Sequence, residues 1–140
     1  MKVLVDTTVW SLALRRKTGD LNTGEKRIVR EWTELVKDGR AVLIGPMRQE
    51  ILSGIKHESE FEKLREYLAN FDDIPLSVRD YEQAARLFNL LRAAGIVGTP
   101  IDLLICAAAY QSQFDIFTTD PDFARYARRL PIRLYALKTL

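Results

Sequence analysis

Short apolar runs without polar alternation constrain this chain most. Val3-Leu4-Val5 and "AVLIG" (41–45) read as strands buried on both faces, and "DIFTT" (115–119) and "IRLYAL" (132–137) as further strands. Between them lie segments with the helical period. Asn22 and Glu25 form a capping-box pattern ahead of a stripe of Ile28, Val29, Trp32, Leu35 and Val36, predicting a helix over 22–38 that Gly39 ends. Pro46 opens a helix through Met47, Ile51 and Leu52 that stops near Gly54. Ser59 and Glu62 cap the next, with Phe61, Leu64, Tyr67 and Leu68 inward. After an extended stretch at 74–76, Ser77 and Asp80 open a helix that closes at Gly95. Thr99 and Pro100 start the apolar "IDLLICAAAY", and Asp120 caps "DPDFARYARRL". These connections are too long for hairpins. They imply an α/β fold with a mostly parallel sheet and helices on both faces.

At 140 residues the chain reads as one domain, with no internal repeat, low-complexity tract or linker. Its net charge of +2 supplies no global basic field. A single cysteine, Cys106, excludes an internal disulfide framework and a Cys-rich zinc site, and fits a reducing cytosol. No apolar run reaches the roughly 20 residues needed to cross a membrane. Asp6 interrupts the N-terminal apolar run after three residues, so no signal peptide is expected and the expected location is cytoplasmic.

In parallel sheets, ligands bind beyond the carboxyl ends of the strands. That rule singles out Asp6 after the first strand, Glu50 in the helix after the second, and Asp102 in the first turn of the Thr99–Pro100 helix. It adds Asp120 after the "DIFTT" strand and Asp122 just beyond Pro121. Each has an ordinary alternative: Asp6 and Asp120 as helix caps, Asp102 as a capping-box partner of Thr99, Glu50 as a solvated helix residue. One site is the more economical account of four acids placed where the strands converge. Crowded carboxylates repel unless a cation joins them. Oxygen ligands without cysteine or a histidine pair suit a hard cation, Mg²⁺ or Mn²⁺. Such a centre is the equipment for metal-assisted phosphodiester hydrolysis. The hydroxyls of Thr7, Thr8, Thr118 and Thr119 are placed to orient a carboxylate or a water, with Thr8 and Thr118 the main candidates; as strand-end residues they also have an ordinary reading.

The blocks "VLVDTTVW", "RQEILSGI", "GTPIDLLICAAA" and "IFTTDPDF" resemble, in order and spacing, the four acidic blocks of the PIN-domain family. The resemblance covers essentially the whole chain, and a lone domain of this size is most similar to VapC-type toxins of toxin–antitoxin pairs. It implies an α/β/α sandwich and a Mg²⁺- or Mn²⁺-dependent endoribonuclease acting on RNA. Asp6, Glu50, Asp102 and Asp120 would be its catalytic metal ligands and Asp122 a fifth acid. Cys106 stands where the family often has alanine, a mild change. The resemblance also implies a homodimer and a VapB-type antitoxin bound near the first helices, with Trp10, Leu14 and Trp32 as groove residues. Core packing is the stronger reading of Trp32.

Two alternatives share the scaffold: an RNA-processing PIN nuclease outside a toxin pair, and a PIN module that binds RNA or protein without cutting. Two other phosphoryl-transfer folds fail. A haloacid-dehalogenase-like phosphatase needs Asp-x-Asp where this chain has Asp6-Thr7-Thr8, and a receiver domain needs paired acids there. Arg125, Arg128 and Arg129 share a helix face beside the last acidic block, where they either contact RNA phosphates or form a solvated face; Arg15, Arg16 and Lys17 form a second basic cluster. The only histidine, His57, reads as a solvated loop residue, and Cys106 as a small core residue.

Overall fold

The computed structural model describes residues 1–137. At its centre lies β1 (Val3–Val5), whose three residues are almost wholly buried. Parallel neighbours flank it: β2 (Ala41–Val42) with Val3 opposite Ala41, and β3 (Asp115–Phe117) with Val5 opposite Phe117. The order is β2-β1-β3, and single parallel bridges, Leu43 to Asp73 and Ile116 to Leu134, widen it on each side. The expected α/β sandwich with a parallel sheet is therefore present. Its helices are α1 (Thr7–Leu14), α2 (Thr23–Lys37), α3 (Gly45–Leu52), α4 (Glu58–Leu68), α5 (Val78–Ala93), α6 (Pro100–Ser112) and α7 (Asp122–Ala127).

Local chemistry explains the helix ends. Asn22 and Glu25 exchange reciprocal bonds of 2.8 and 3.0 Å across the start of α2, and Ser77 and Asp80 do the same for α5. Each satisfies orphan backbone donors. Gly39 and Gly95 follow these helices at φ +68° and +81°, backbone that a β-carbon disfavours. Thr99 caps α6 by accepting the Asp102 N–H at 3.1 Å. From Leu103 to Ala109 every side chain of α6 is buried, and the small run Cys106-Ala107-Ala108-Ala109 keeps that helix thin where it packs.

Four readings of the sequence need correction. "AVLIG" yields only two strand residues, because Leu43 turns to accept the Ile74 N–H at 2.8 Å and the helix starts at Gly45. Ser59 caps nothing: α4 begins at Glu58, and Glu62 is held by the Arg65 guanidinium at 2.8 Å instead. The "IRLYAL" strand reduces to the bridge at Leu134. Trp10 is not a groove residue. It is fully buried with its Nε1 donating to the Val5 carbonyl at 2.9 Å, and its ring meets Trp32 and Phe71 edge-on at 5.7 and 4.9 Å. α1 packs against both α2 and α3, which leaves Trp10 no outward face. Trp32 is likewise core.

Candidate metal-dependent active site

The sheet itself delivers Asp6. Its N–H donates to the Phe117 carbonyl at 2.8 Å, so the β1–β3 ladder runs one rung past the strands and sets Asp6 beside Thr118. There the Asp6 carboxylate is 5% exposed, and its Oδ2 accepts the Thr118 hydroxyl at 2.7 Å and the Thr8 hydroxyl at 3.0 Å. The backbone carbonyl of Asp6 starts α1, but its side chain makes no cap bond to that helix. Thr118 also accepts the Asp120 N–H at 3.0 Å, and Thr8 accepts the Thr119 N–H at 3.2 Å. Both hydroxyls, Thr8 in the first turn of α1 and Thr118 just after β3, thus hydrogen-bond the Asp6 carboxylate.

Asp102 comes from the first turn of α6, where Thr99 and Pro100 fix the helix start. The expected reciprocal capping box is half formed: Thr99 accepts the Asp102 N–H, while Asp102 Oδ2 accepts the Tyr126 hydroxyl at 2.9 Å from α7. Asp120 lies in the corner after β3, its Oδ1 accepting the Asp122 N–H at 2.9 Å and its carbonyl the Phe123 N–H. Asp120 therefore caps this turn as well as facing the site.

Electrostatics bind three of these acids together. Burial pushes the Asp6 carboxyl above its ordinary range. The Thr118, Thr8 and Thr7 donors pull it down, and the Asp120 charge pushes it up. Burial likewise raises Asp102 against the Tyr126 and Thr99 hydroxyls, with Asp6 and Asp120 adding repulsion. None of Asp6, Asp102 and Asp120 has an ion-pair partner among the described residues. A cleft of about 780 Å³ is lined by Glu50, Asp102, Asp120 and Asp122 together with Pro46, Gln49, Ser53 and Thr99–Ile101. Glu50, exposed on α3, also borders a neighbouring cleft of about 590 Å³ with Thr7, Thr8, Thr119 and Arg16.

Other candidates fall outside this arrangement. Asp122 lines the cleft but is already ion-paired to Arg125 at 2.8 Å, while Arg125, Arg128 and Arg129 are exposed and do not line the cleft. His57 is exposed at the start of α4. Cys106 is buried, and that burial, with Asp102 and Asp6 nearby, pushes its thiol up and makes it unreactive. Tyr126, whose hydroxyl reaches Asp102, was not singled out in the sequence.

Among the described residues, no three acidic, histidine or cysteine side chains are gathered tightly enough to hold an ion as they stand. Mutual repulsion accounts for such spacing between like charges. The donor chemistry nonetheless fits a hard divalent cation: all-oxygen ligands, a buried Asp6 carboxylate without a cationic partner among the described residues, and an open cleft lined by Asp102, Asp120 and Glu50. Asp6 itself does not line that cleft.

The PIN domain family model matches residues 3–129. No curated protein matches the sequence. Among solved structures, VapBC2 from Rickettsia felis, crystallised bound to a DNA fragment from its promoter, is similar with a TM-score of 0.73. The identity is 20%, over 96% of this chain and 98% of that one. FitAcB from Neisseria gonorrhoeae is similar with a TM-score of 0.70 at 19% identity, over 99% of each chain. Likeness at this level of identity concerns the fold.

Proposed function

The chain belongs to the PIN-domain family, and on that premise we propose that it is a Mg²⁺- or Mn²⁺-dependent endoribonuclease, built as one domain, and the toxin of a toxin–antitoxin pair. The observation that carries the reading is the arrival of Asp6, Asp102 and Asp120 from three segments at the carboxyl end of one parallel sheet, where Asp102 and Asp120 share a cleft with Glu50 and none of the three has a cationic partner among the described residues. Asp6, Asp102, Asp120 and Glu50 would hold the cation, with Asp122 at its margin. Bound there, the cation supplies Lewis-acid help: a lowered pKa for water and an offset to charge developing on the phosphate. The Thr8 and Thr118 hydroxyls keep Asp6 turned into the site. The open cleft admits an extended strand, and the exposed Arg125, Arg128 and Arg129, on and just after the helix that follows Asp120, would supply phosphate contacts outside the cleft itself.

The fold likeness to VapBC2 and FitAcB supports a VapB-type antitoxin as partner. A groove of about 580 Å³ containing Leu14, Leu64 and Tyr67, rimmed by Arg15, Lys56 and Lys63, offers an apolar floor and basic edge for its peptide. The apolar surface of Tyr81, Ala84, Phe88, Ile101 and Leu104 supports the homodimer. Nothing favours the non-cleaving scaffold, because no acid is missing.

Cleavage of single-stranded or loop RNA should need Mg²⁺ or Mn²⁺, stop with EDTA, and leave 5′-phosphate and 3′-hydroxyl ends. A 2′,3′-cyclic phosphate, or full activity in EDTA, overturns the metal mechanism. Asp6→Asn and Asp102→Asn should each lower cleavage by orders of magnitude while keeping the fold. A neighbouring gene product that fails to co-purify, or a monomer by light scattering at micromolar concentration, overturns the partner assignments.

A further inference from the structure

Tyr126 is 1% exposed, yet its hydroxyl reaches across from α7 to a carboxylate of the site. The bond joins residues 24 apart in sequence and ties the helix following the Asp120–Asp122 corner to the first turn of α6. Space for the phenol is built into the backbone at Gly98. A β-carbon there would stand 3.2 Å from the Tyr126 hydroxyl, 3.3 Å from its Cζ and 2.5 Å from Leu103 Cδ2. Phe123 meets the ring edge-on at 5.2 Å and limits its swing. The hydroxyl of a phenol so confined donates to Asp102 Oδ2 at 2.9 Å.

We propose that Tyr126 is a positioning residue for the metal centre: its phenol fixes the Asp102 carboxylate, as the Thr118 and Thr8 hydroxyls fix Asp6. The proposal rests on the metal-dependent reading above and adds a residue to it. The Tyr126 hydroxyl engages Oδ2 of Asp102 and the Thr118 and Thr8 hydroxyls engage Oδ2 of Asp6, so each carboxylate is held through that oxygen, which favours the one-oxygen ligation suited to a small octahedral ion such as Mg²⁺. Removing such an outer partner typically weakens metal binding about 10- to 100-fold.

The test is Tyr126→Phe, which keeps the ring and deletes the hydroxyl. Mn²⁺ is titrated into the full-length protein and the free ion followed by electron paramagnetic resonance. The Mn²⁺ Kd should rise roughly 10-fold or more, with circular dichroism and the KM for RNA unchanged. Cleavage lost at low Mn²⁺ should return at saturating Mn²⁺, whereas Asp102→Asn should not recover. In the wild type, the Tyr126 hydroxyl proton should be visible by nuclear magnetic resonance and shift when Mg²⁺ is added, a readout independent of the variant's folding. A wild-type Mn²⁺ Kd in the variant, a loss that saturating metal does not restore, or a hydroxyl signal indifferent to Mg²⁺ overturns the proposal and leaves the nuclease reading intact. A wild-type protein that binds no Mn²⁺ overturns both.

Discussion

Thr118→Val changes shape little and removes one hydroxyl that serves two acids. That hydroxyl donates to Asp6 Oδ2 at 2.7 Å and accepts the Asp120 N–H at 3.0 Å. A hydrogen bond to a buried carboxylate contributes about 1.5–3 kcal/mol. The half-buried Asp120 N–H finds water in part, and losing its acceptor costs about 0.5–1 kcal/mol. The metal-free variant should therefore lose roughly 2–4 kcal/mol at pH 7. The loss depends on pH with a definite sign. Burial raises Asp6 above its usual 3.8, so the folded state holds its proton longer than the unfolded chain does. The stability from this proton is complete below 3.8 and disappears as pH rises through the folded-state pKa. Deleting the Thr118 donor raises Asp6 further and widens that window upward. At about pH 3, below the ordinary 3.8 and therefore below the raised folded-state value as well, Asp6 is mostly protonated and the cost should fall to about 0.5–1.5 kcal/mol, a neutral hydrogen bond. Urea unfolding in EDTA at both pH values measures this directly. Repeated in an Asp6→Asn background at pH 7, the same substitution should cost about 1–2 kcal/mol less. A loss under about 0.5 kcal/mol at pH 7, or an equal loss in the Asp6→Asn background, refutes the reasoning.

Two further outcomes follow from the same geometry. Because burial raises both Asp6 and Asp102, the metal-free protein should lose stability as pH climbs from about 4 toward neutrality. Asp6→Asn should flatten that slope in thermal melts, and added Mg²⁺ should restore the neutral end; a stability that rises over the same range contradicts the assignment. Gly98→Ala forces a β-carbon to 2.5 Å from Leu103 Cδ2 and should destabilise by about 1–3 kcal/mol, read as a lower urea midpoint with an unchanged slope.

The sequence was most informative where backbone chemistry is local. Asn22–Glu25 and Ser77–Asp80 announced their helices because a capping box needs only residues three apart. Ser59–Glu62 has the same spacing and failed, since Glu62 had a stronger partner one turn on in Arg65. Strand ends were the least legible. Whether Leu43 continues β2 or turns to Ile74 is decided by a chain segment some thirty residues away, which no local window contains. The acids of the candidate site were visible because strand ends and helix starts bracket them. What holds them was visible only in part: Thr118 stood beside Asp120, while nothing in the sequence marked Tyr126, 24 residues from Asp102, as its partner. Trp10 shows the converse error, an apolar residue near the N-terminus that a packed neighbour on each side turns into core.

The bond from Thr118 to Asp6 spans 112 residues of a 140-residue chain, and β1 has no β3 to pair with until that late segment exists. At about 5–20 residues per second of synthesis, Asp6 waits roughly 6–22 s for Thr118 to be made. Until then the first acid cannot be seated, whatever the state of the helices between. The proposed nuclease would therefore be inert until the segment carrying Thr118 has been made, and the messenger and ribosome producing it would be spared until then.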